Sequence, residues 1–456
     1  MKTRHMAFSH RLAQFGRLAL PTLFAVAIAL SGCSTAKQLF TEHRNAPLKG
    51  DRISVLQLQR DLVANPDLKD TPVQLPEAWT NQLWPQAGGY PNHAPGHLAL
   101  GENIKRAWRV SIGKGGNSRT PLTAAPIVAE GAVFTLDAKG HVSAFDLKTG
   151  KQRWSKKITP KGETGSGALG GGIAYDSGKV YATNGYKHLV ALNATDGEMA
   201  WKSTLPSPAR AAPTVVEGRI YLLSLDNRLN VLNATDGSPL WSYSGVSETT
   251  NLLGSAAPAA DAQLAVLPLS SGEIFGLRPE TGQVAWEDNL SSVRRSGALS
   301  SISDIRGLPV IDQGVVYAIS FSGRMVALDE VSGARVWQRE IGSSEMPWAA
   351  GEVIFVVTTE QQLTALTRSE GDIRWVSQLP RFEDNDKDDP IIWSGPVLAG
   401  SRLYLVSNKG YMIQASPSDG KIIKTERIGS EANIAPVVAG NTLLVLTNDG
   451  ELSAWR

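Results

Sequence analysis

The stretch Ala144-Phe145-Asp146-Leu147-Lys148-Thr149-Gly150-Lys151-Gln152-Arg153-Trp154 decides the fold, because it recurs. Ala191-Leu192-Asn193 leads to Gly197 and Trp201, Val231-Leu232-Asn233 to Gly237 and Trp241, and Gly276-Leu277-Arg278 to Gly282 and Trp286. Ala327-Leu328-Asp329 leads to Gly333 and Trp337, and Ala365-Leu366-Thr367 to Gly371 and Trp375. In these six copies the Trp stands four residues after the Gly; a seventh copy, ending at Gly420, has Lys424 in the Trp place. The Gly-to-Gly steps are 47, 40, 45, 51, 38 and 49 residues. Self-similarity at such a period marks a propeller or a solenoid and outranks local readings.

Each part of the motif has a physical role. The apolar residue before Asp or Asn ends a strand. Asp or Asn, Thr or Ser, and Gly then build a tight turn, in which short side chains bond local backbone and Gly takes a positive φ. The Trp begins the next strand. A large aromatic repeated once per unit packs that unit against its neighbour; stacking on a bound cofactor is the alternative.

Outward from the motif the chain reads as short strands in sets of four, such as Ala124–Ala129, Ala132–Asp137, His141–Asp146 and Lys151–Ile158. Alternating and β-branched residues between Gly-containing turns support strands. Many first strands carry a Pro, as at Pro213, Pro258, Pro347 and Pro436, which suits a strand start or a free edge facing a channel. First strands begin near Ala124, Gly172, Ala211, Ala256, Gly307, Glu345, Ser394 and Ile434, which makes eight. The last set stops after three strands, and Ala107–Gly113, with Trp108 in the repeat position, has no set of its own. We therefore expect an all-β, eight-bladed β-propeller of four-stranded blades, closed by pairing the N-terminal strand with the C-terminal blade, which leaves only short protected edges. Seven blades with an extra sheet is the alternative.

The 456 residues can bury a large core. Residues 1–32 hold Lys2, Arg4, Arg11 and Arg17 and no acid, so the formal net charge of +2 becomes −2 once they are removed. A mildly acidic body argues against a nucleic-acid partner, which calls for a clustered basic surface. Leu18–Leu30 is an apolar run of 13 residues, too short for a comfortable membrane span and fitting a signal peptide over residues 1–32. Leu30-Ser31-Gly32-Cys33 resembles the lipobox of bacterial lipoproteins, in which the Cys is acylated and becomes the new N-terminus. Cys33 is the chain's one cysteine, so a lipidated chain has no internal disulfide. In Gram-negative lipoproteins an Asp after the Cys favours retention at the inner membrane; Ser34 stands there, which implies the outer membrane, facing the periplasm.

Residues 33–100 read as a lipid-anchored tether and lead-in, and 101–456 as the propeller. A short helix is plausible over Ile53–Val63. Pro76 to Pro95 is rich in Pro, Gly, Asn and Gln and should be extended or looped. His93 and His97 in it are expected to be structural or solvated rather than metal ligands. Among the long interblade connections, Asn251-Leu252-Leu253-Gly254 puts two leucines in an expected loop, either as a contact surface or folded on their own blade. Arg381–Pro390, with Asp384, Asp386, Asp388 and Asp389, partly mimics a calcium loop but lacks its Gly and Glu; a solvated loop is the expectation. No catalytic constellation, phosphate-binding glycine pattern, cofactor motif or metal spacing stands out.

The repeat resembles those of pyrroloquinoline quinone dehydrogenases, and the run Trp84-Pro85-Gln86-Ala87-Gly88-Gly89-Tyr90-Pro91 resembles their lead-in. With the lipobox, the length and the eight sets, residues 100–456 resemble the BamB family, the propeller lipoproteins of the outer-membrane β-barrel assembly (BAM) machinery. That resemblance implies a non-catalytic scaffold that binds the periplasmic POTRA domains of BamA and helps insert β-barrel clients. The positions matching the family's contact loops are Leu252, Leu253 and Asp304. A quinone-dependent dehydrogenase or another periplasmic interaction propeller is the alternative. The dehydrogenases typically use a vicinal disulfide, which a chain with one Cys cannot form.

Overall fold

The computed structural model describes residues 62–68, 71–163, 170–209, 211–246, 256–291, 304–383 and 389–456. These residues form eight four-stranded antiparallel sheets, each running outward in chain order, apart from the one that closes the ring. The innermost strands are Ile127–Ala129, Gly172–Asp176, Thr214–Val216, Ala259–Ala260, Val310–Asp312, Trp348–Ala350, Trp393–Ala399 and Val437–Ala439, in blades 1 to 8. The eighth blade takes Arg106–Ser111 as its outermost strand, paired antiparallel with Glu451–Trp455. Lys105 and Arg456 exchange both backbone hydrogen bonds, at 2.6 and 2.9 Å, just beyond that pairing. The expected eight-bladed ring and its closure are both present.

Burial follows from position in the blade. Third strands such as His188–Asn193 are buried along their length, because neighbouring blades cover both faces. Fourth strands such as Gln152–Lys157 alternate between exposed and half-buried residues, the pattern of a strand with one solvated face.

The recurring tryptophans join blade to blade. Among the described residues, seven indoles pack on seven turn glycines of the next blade: Trp108 on Gly150, Trp154 on Gly197, Trp201 on Gly237, Trp241 on Gly282, Trp286 on Gly333, Trp337 on Gly371 and Trp375 on Gly420. These glycines have φ of 70 to 74°, and a Cβ at any of them would lie 2.5–2.7 Å from the Trp side chain. Lys424 now has a reason. The Trp it replaces would face the turn between the third and fourth strands of blade 8. That turn does not exist, since the third strand ends the chain and the fourth comes from the N-terminus.

The lead-in does not stop at the ring's edge. Residues 81–98 cross the channel at the C-terminal ends of the inner strands and bond to every blade in turn. Asn81 Nδ2 donates to Val438 O of blade 8 at 2.6 Å. Trp84 exchanges two backbone bonds of 2.8 Å with Val128 of blade 1, and Pro85 O accepts from Tyr175 N of blade 2 at 2.7 Å. The Gln86 amide pairs with both backbone groups of Val215 in blade 3, at 2.6 and 2.8 Å. A tight turn follows, with Gly88 and Gly89 at φ of 74 and 97°. Pro91 O then accepts from Ala260 N of blade 4 at 2.8 Å, and Asn92 O from Ile311 N of blade 5 at 2.9 Å. Gly96 O accepts from Trp348 Nε1 of blade 6 at 2.9 Å, and Leu98 pairs with Leu398 and Gly400 of blade 7 at 3.3 and 2.9 Å. The inner strands have free edges, and in seven of the eight blades this segment bonds to a backbone group of that edge. The expectation of an extended or looped stretch holds for its backbone. Of the expected helix over Ile53–Val63, only Leu62 and Val63 lie within the described residues, and they are not helical.

Candidate functional site

With one mouth covered, the channel becomes a blind cavity of about 320 Å³, lined by residues from all eight blades. Its floor is the crossing segment, through Trp84, Ala87 and Gly88, with Trp84 stacked on Trp348 at a centroid distance of 6.2 Å. Its walls are small or apolar residues, Ala125, Ala211, Ala257 and Leu308 just before their inner strands and Val397 within one. Thr123, Arg306 and Asn433 line it as well and are exposed to solvent. The cavity therefore opens on the face where the interblade connections emerge.

Among the described residues, two ionisable groups face this space. Glu345 lies three residues before the inner strand of blade 6, and its Oε2 accepts the Gly395 N–H at 3.0 Å. Burial pushes its carboxyl up to about 7, opposed by the Gly395 bond, by Arg306 and by Ser344. Arg306 forms no hydrogen bond or ion pair among the described residues. The sequence signal for Glu345 was available: the other seven inner strands begin with small or apolar residues where it stands. Arg306 had no comparable signal, because a cation in a long loop is the ordinary case.

Of the residues singled out from sequence, Cys33, Leu252 and Leu253 lie outside the described residues. Asp304 is within them and is buried at 2 % exposure. Its carbonyl accepts the Phe321 N–H at 3.0 Å. Asp304 thus anchors the connection from which Arg306 projects, and it does not itself stand on the surface.

His93 and His97 are structural, as expected, and both are buried. His93 Nδ1 lies 2.7 Å from Pro309 O, and burial lowers its pKa to about 4, so it donates as a neutral ring. His97 Nε2 accepts the Ser401 N–H at 3.1 Å, which puts the ring proton on Nδ1, 2.7 Å from Pro76 O. In the acidic loop, Asp384, Asp386 and Asp388 lie outside the described residues, while Asp389 is paired with Lys409. Among the described residues no group of three or more His, Cys, Asp or Glu is arranged to hold a metal ion.

Comparison with known proteins gives a consistent likeness. A family model described as outer membrane protein assembly factor BamB matches residues 102–168, 138–377 and 384–455. The chain is 31% identical over 349 residues to the outer membrane protein assembly factor BamB of Escherichia coli (strain K12), covering 75% of this chain and 86% of that one. It is 30% identical over 357 residues to the protein of that name from Yersinia pestis, covering 77% and 88%. The crystal structure of BamB from Moraxella catarrhalis superposes with a TM-score of 0.65 at 18% identity, covering 78% of this chain and 100% of that one. A quinohemoprotein alcohol dehydrogenase from Comamonas testosteroni superposes at 0.61 with 12% identity, covering 83% and 81%, a likeness of fold alone. The family match begins at residue 102, so the segment that floors the channel lies outside it.

Proposed function

The chain belongs to the BamB family of outer membrane protein assembly factors, and from that premise we propose that it is a lipid-anchored scaffold of the outer-membrane assembly machinery. The observation that carries this reading is the family match, which runs through all eight blades. No catalytic step belongs to it.

Acylation at Cys33 would hold the propeller at the periplasmic face of the outer membrane. More than one acyl chain makes such anchoring stable, where a single chain is marginal. Confinement beside the membrane raises the effective concentration near the partner. That partner is the set of periplasmic POTRA domains of BamA, met by adjacent interblade connections. Leu252 and Leu253 supply the apolar anchors, with polar residues around them. Asp304 acts from beneath, holding its connection through the Phe321 N–H.

The test is a calorimetric titration of the lipid-free chain from Ser34 onward against the POTRA domains of the cognate BamA. Saturable binding is expected, weakened about tenfold or more by the Leu252→Ala/Leu253→Ala pair, as for two interface anchors. A flat titration with the folded chain would remove this partner and leave the family's assembly role to another periplasmic contact.

A further inference from the structure

We infer that the blind channel is a binding site for an apolar group carrying a carboxylate, held with its apolar part in the channel and its charge on Arg306. The inference rests on this chain's own cavity and does not depend on the partner proposed above.

Three observations carry it. The first is closure. An open propeller channel is a water-filled passage, but residues 81–98 seal one end with hydrogen bonds to every blade, and the remaining cavity has one mouth. Its volume of about 320 Å³ falls in the range of small-molecule pockets, roughly 300–1,000 Å³. The second is the lining, which is mostly apolar and ends on Trp84 and Trp348, stacked on each other and buried in the floor; such a lining favours an apolar guest.

The third is charge. Arg306 lines the cavity and has no hydrogen bond or ion pair of its own among the described residues. A guanidinium is always charged and matches a carboxylate with two parallel hydrogen bonds. Glu345 offsets it only in part, because the two form no ion pair and burial raises the glutamate's carboxyl to about 7, where only about half of it is ionised at neutral pH. Arg306 keeps its full charge at every working pH while Glu345 carries only part of one, so the balance at the site is positive. The site therefore favours an anion over a cation.

The same chemistry has two sources: a small organic acid, or the C-terminal residue of a polypeptide. The mouth lies on the face of the interblade connections, so either can enter from solvent without moving the floor.

The experiment is calorimetry on the purified protein with four probes: cinnamate, cinnamamide, and acetylated Gly-Gly-Phe as free acid and as amide. Saturable binding of cinnamate or of the tripeptide acid is expected, with its amide at least about tenfold weaker. Arg306→Gln should weaken the acid about tenfold while leaving the circular dichroism spectrum and the unfolding midpoint unchanged. Ala125→Trp, which fills the cavity from the wall, should abolish binding; Arg306 is exposed and its variant keeps the test sound if the Trp substitution perturbs the fold. Binding of cinnamate alone assigns the site to a small acid. Binding of the tripeptide acid assigns it to a chain terminus. The inference is overturned if neither acid binds, if acid and amide bind equally, or if Arg306→Gln leaves binding unchanged.

Discussion

Each indole that bridges two blades donates its Nε1–H to the carbonyl three residues before the glycine it packs on, as Trp154 does to Ala194 O at 2.9 Å, Trp241 to Pro279 O at 2.9 Å and Trp337 to Arg368 O at 2.8 Å. Ring and bond thus fix the same turn, and the turn glycine is constrained twice, by its positive φ and by the ring. Gly237→Ala should cost about 2–4 kcal/mol, from the left-handed backbone and the collision with Trp201 together. The check is urea unfolding, with a lower midpoint and an unchanged slope. Lys424→Trp provides the converse. No turn glycine and no carbonyl await an indole there, so stability should stay within about 0.5 kcal/mol of the parent. A gain of 1 kcal/mol or more would mean that these tryptophans act through buried area alone and that the glycine contact is incidental.

Blades and their closure were legible in the sequence because they repeat. The turn glycines, the tryptophans and the inner-strand prolines recur, and Trp108 announced the closing strand by standing in a repeat position without a repeat. The crossing segment was not legible as a floor, for the opposite reason. It occurs once, and its contacts are single hydrogen bonds, many from its backbone, made to eight separated strands, which leave no periodic trace. Only its side-chain anchors, Asn81, Gln86 and His93, are specific, and each reads in sequence as an ordinary loop residue. His93 gives this element a measurable signature. Burial lowers its pKa to about 4, whereas an unfolded His titrates near 6.5. Unfolding therefore takes up a proton anywhere between those values. Stability contributed by the neutral ring is complete above about pH 6.5 and is lost as pH falls towards 4, by at most about 3 kcal/mol in total. Glu345, raised to about 7, has the opposite sign: its contribution is present at low pH and lost as pH rises from its unfolded value towards 7. The two oppose each other in the parent, so the quantity to follow is the stability difference between parent and His93→Gln across pH 4 to 7. That difference should shrink as the pH falls; one that stays flat would mean that the ring is protonated or solvated in the folded state.

At the scale of the whole molecule, a ring of repeats in which each blade touches only two neighbours resembles a closed solenoid, whose stability is a sum of units and nearest-neighbour interfaces. Such an array can open at one interface without consulting the others. The floor changes this, because one segment of the chain is bonded to all eight inner strands, and a blade cannot leave without stripping a bond from the segment that also holds the opposite side. The ring should then unfold as one cooperative unit, with tryptophan fluorescence and far-ultraviolet circular dichroism giving coincident transitions. Gln86→Ala tests whether the segment belongs to that unit. It deletes two buried bonds and leaves both backbone groups of Val215 without partners on the inner edge of blade 3, at a cost of about 2–4 kcal/mol. If the segment is integral, this cost lowers the midpoint reported by both probes together, with an unchanged denaturant slope, although most tryptophans are far along the chain from Gln86. If the segment were a lid resting on an independently stable ring, it would detach before the main transition. The global midpoint would then stay where it is in the parent, and only proteolysis within residues 81–98 would quicken.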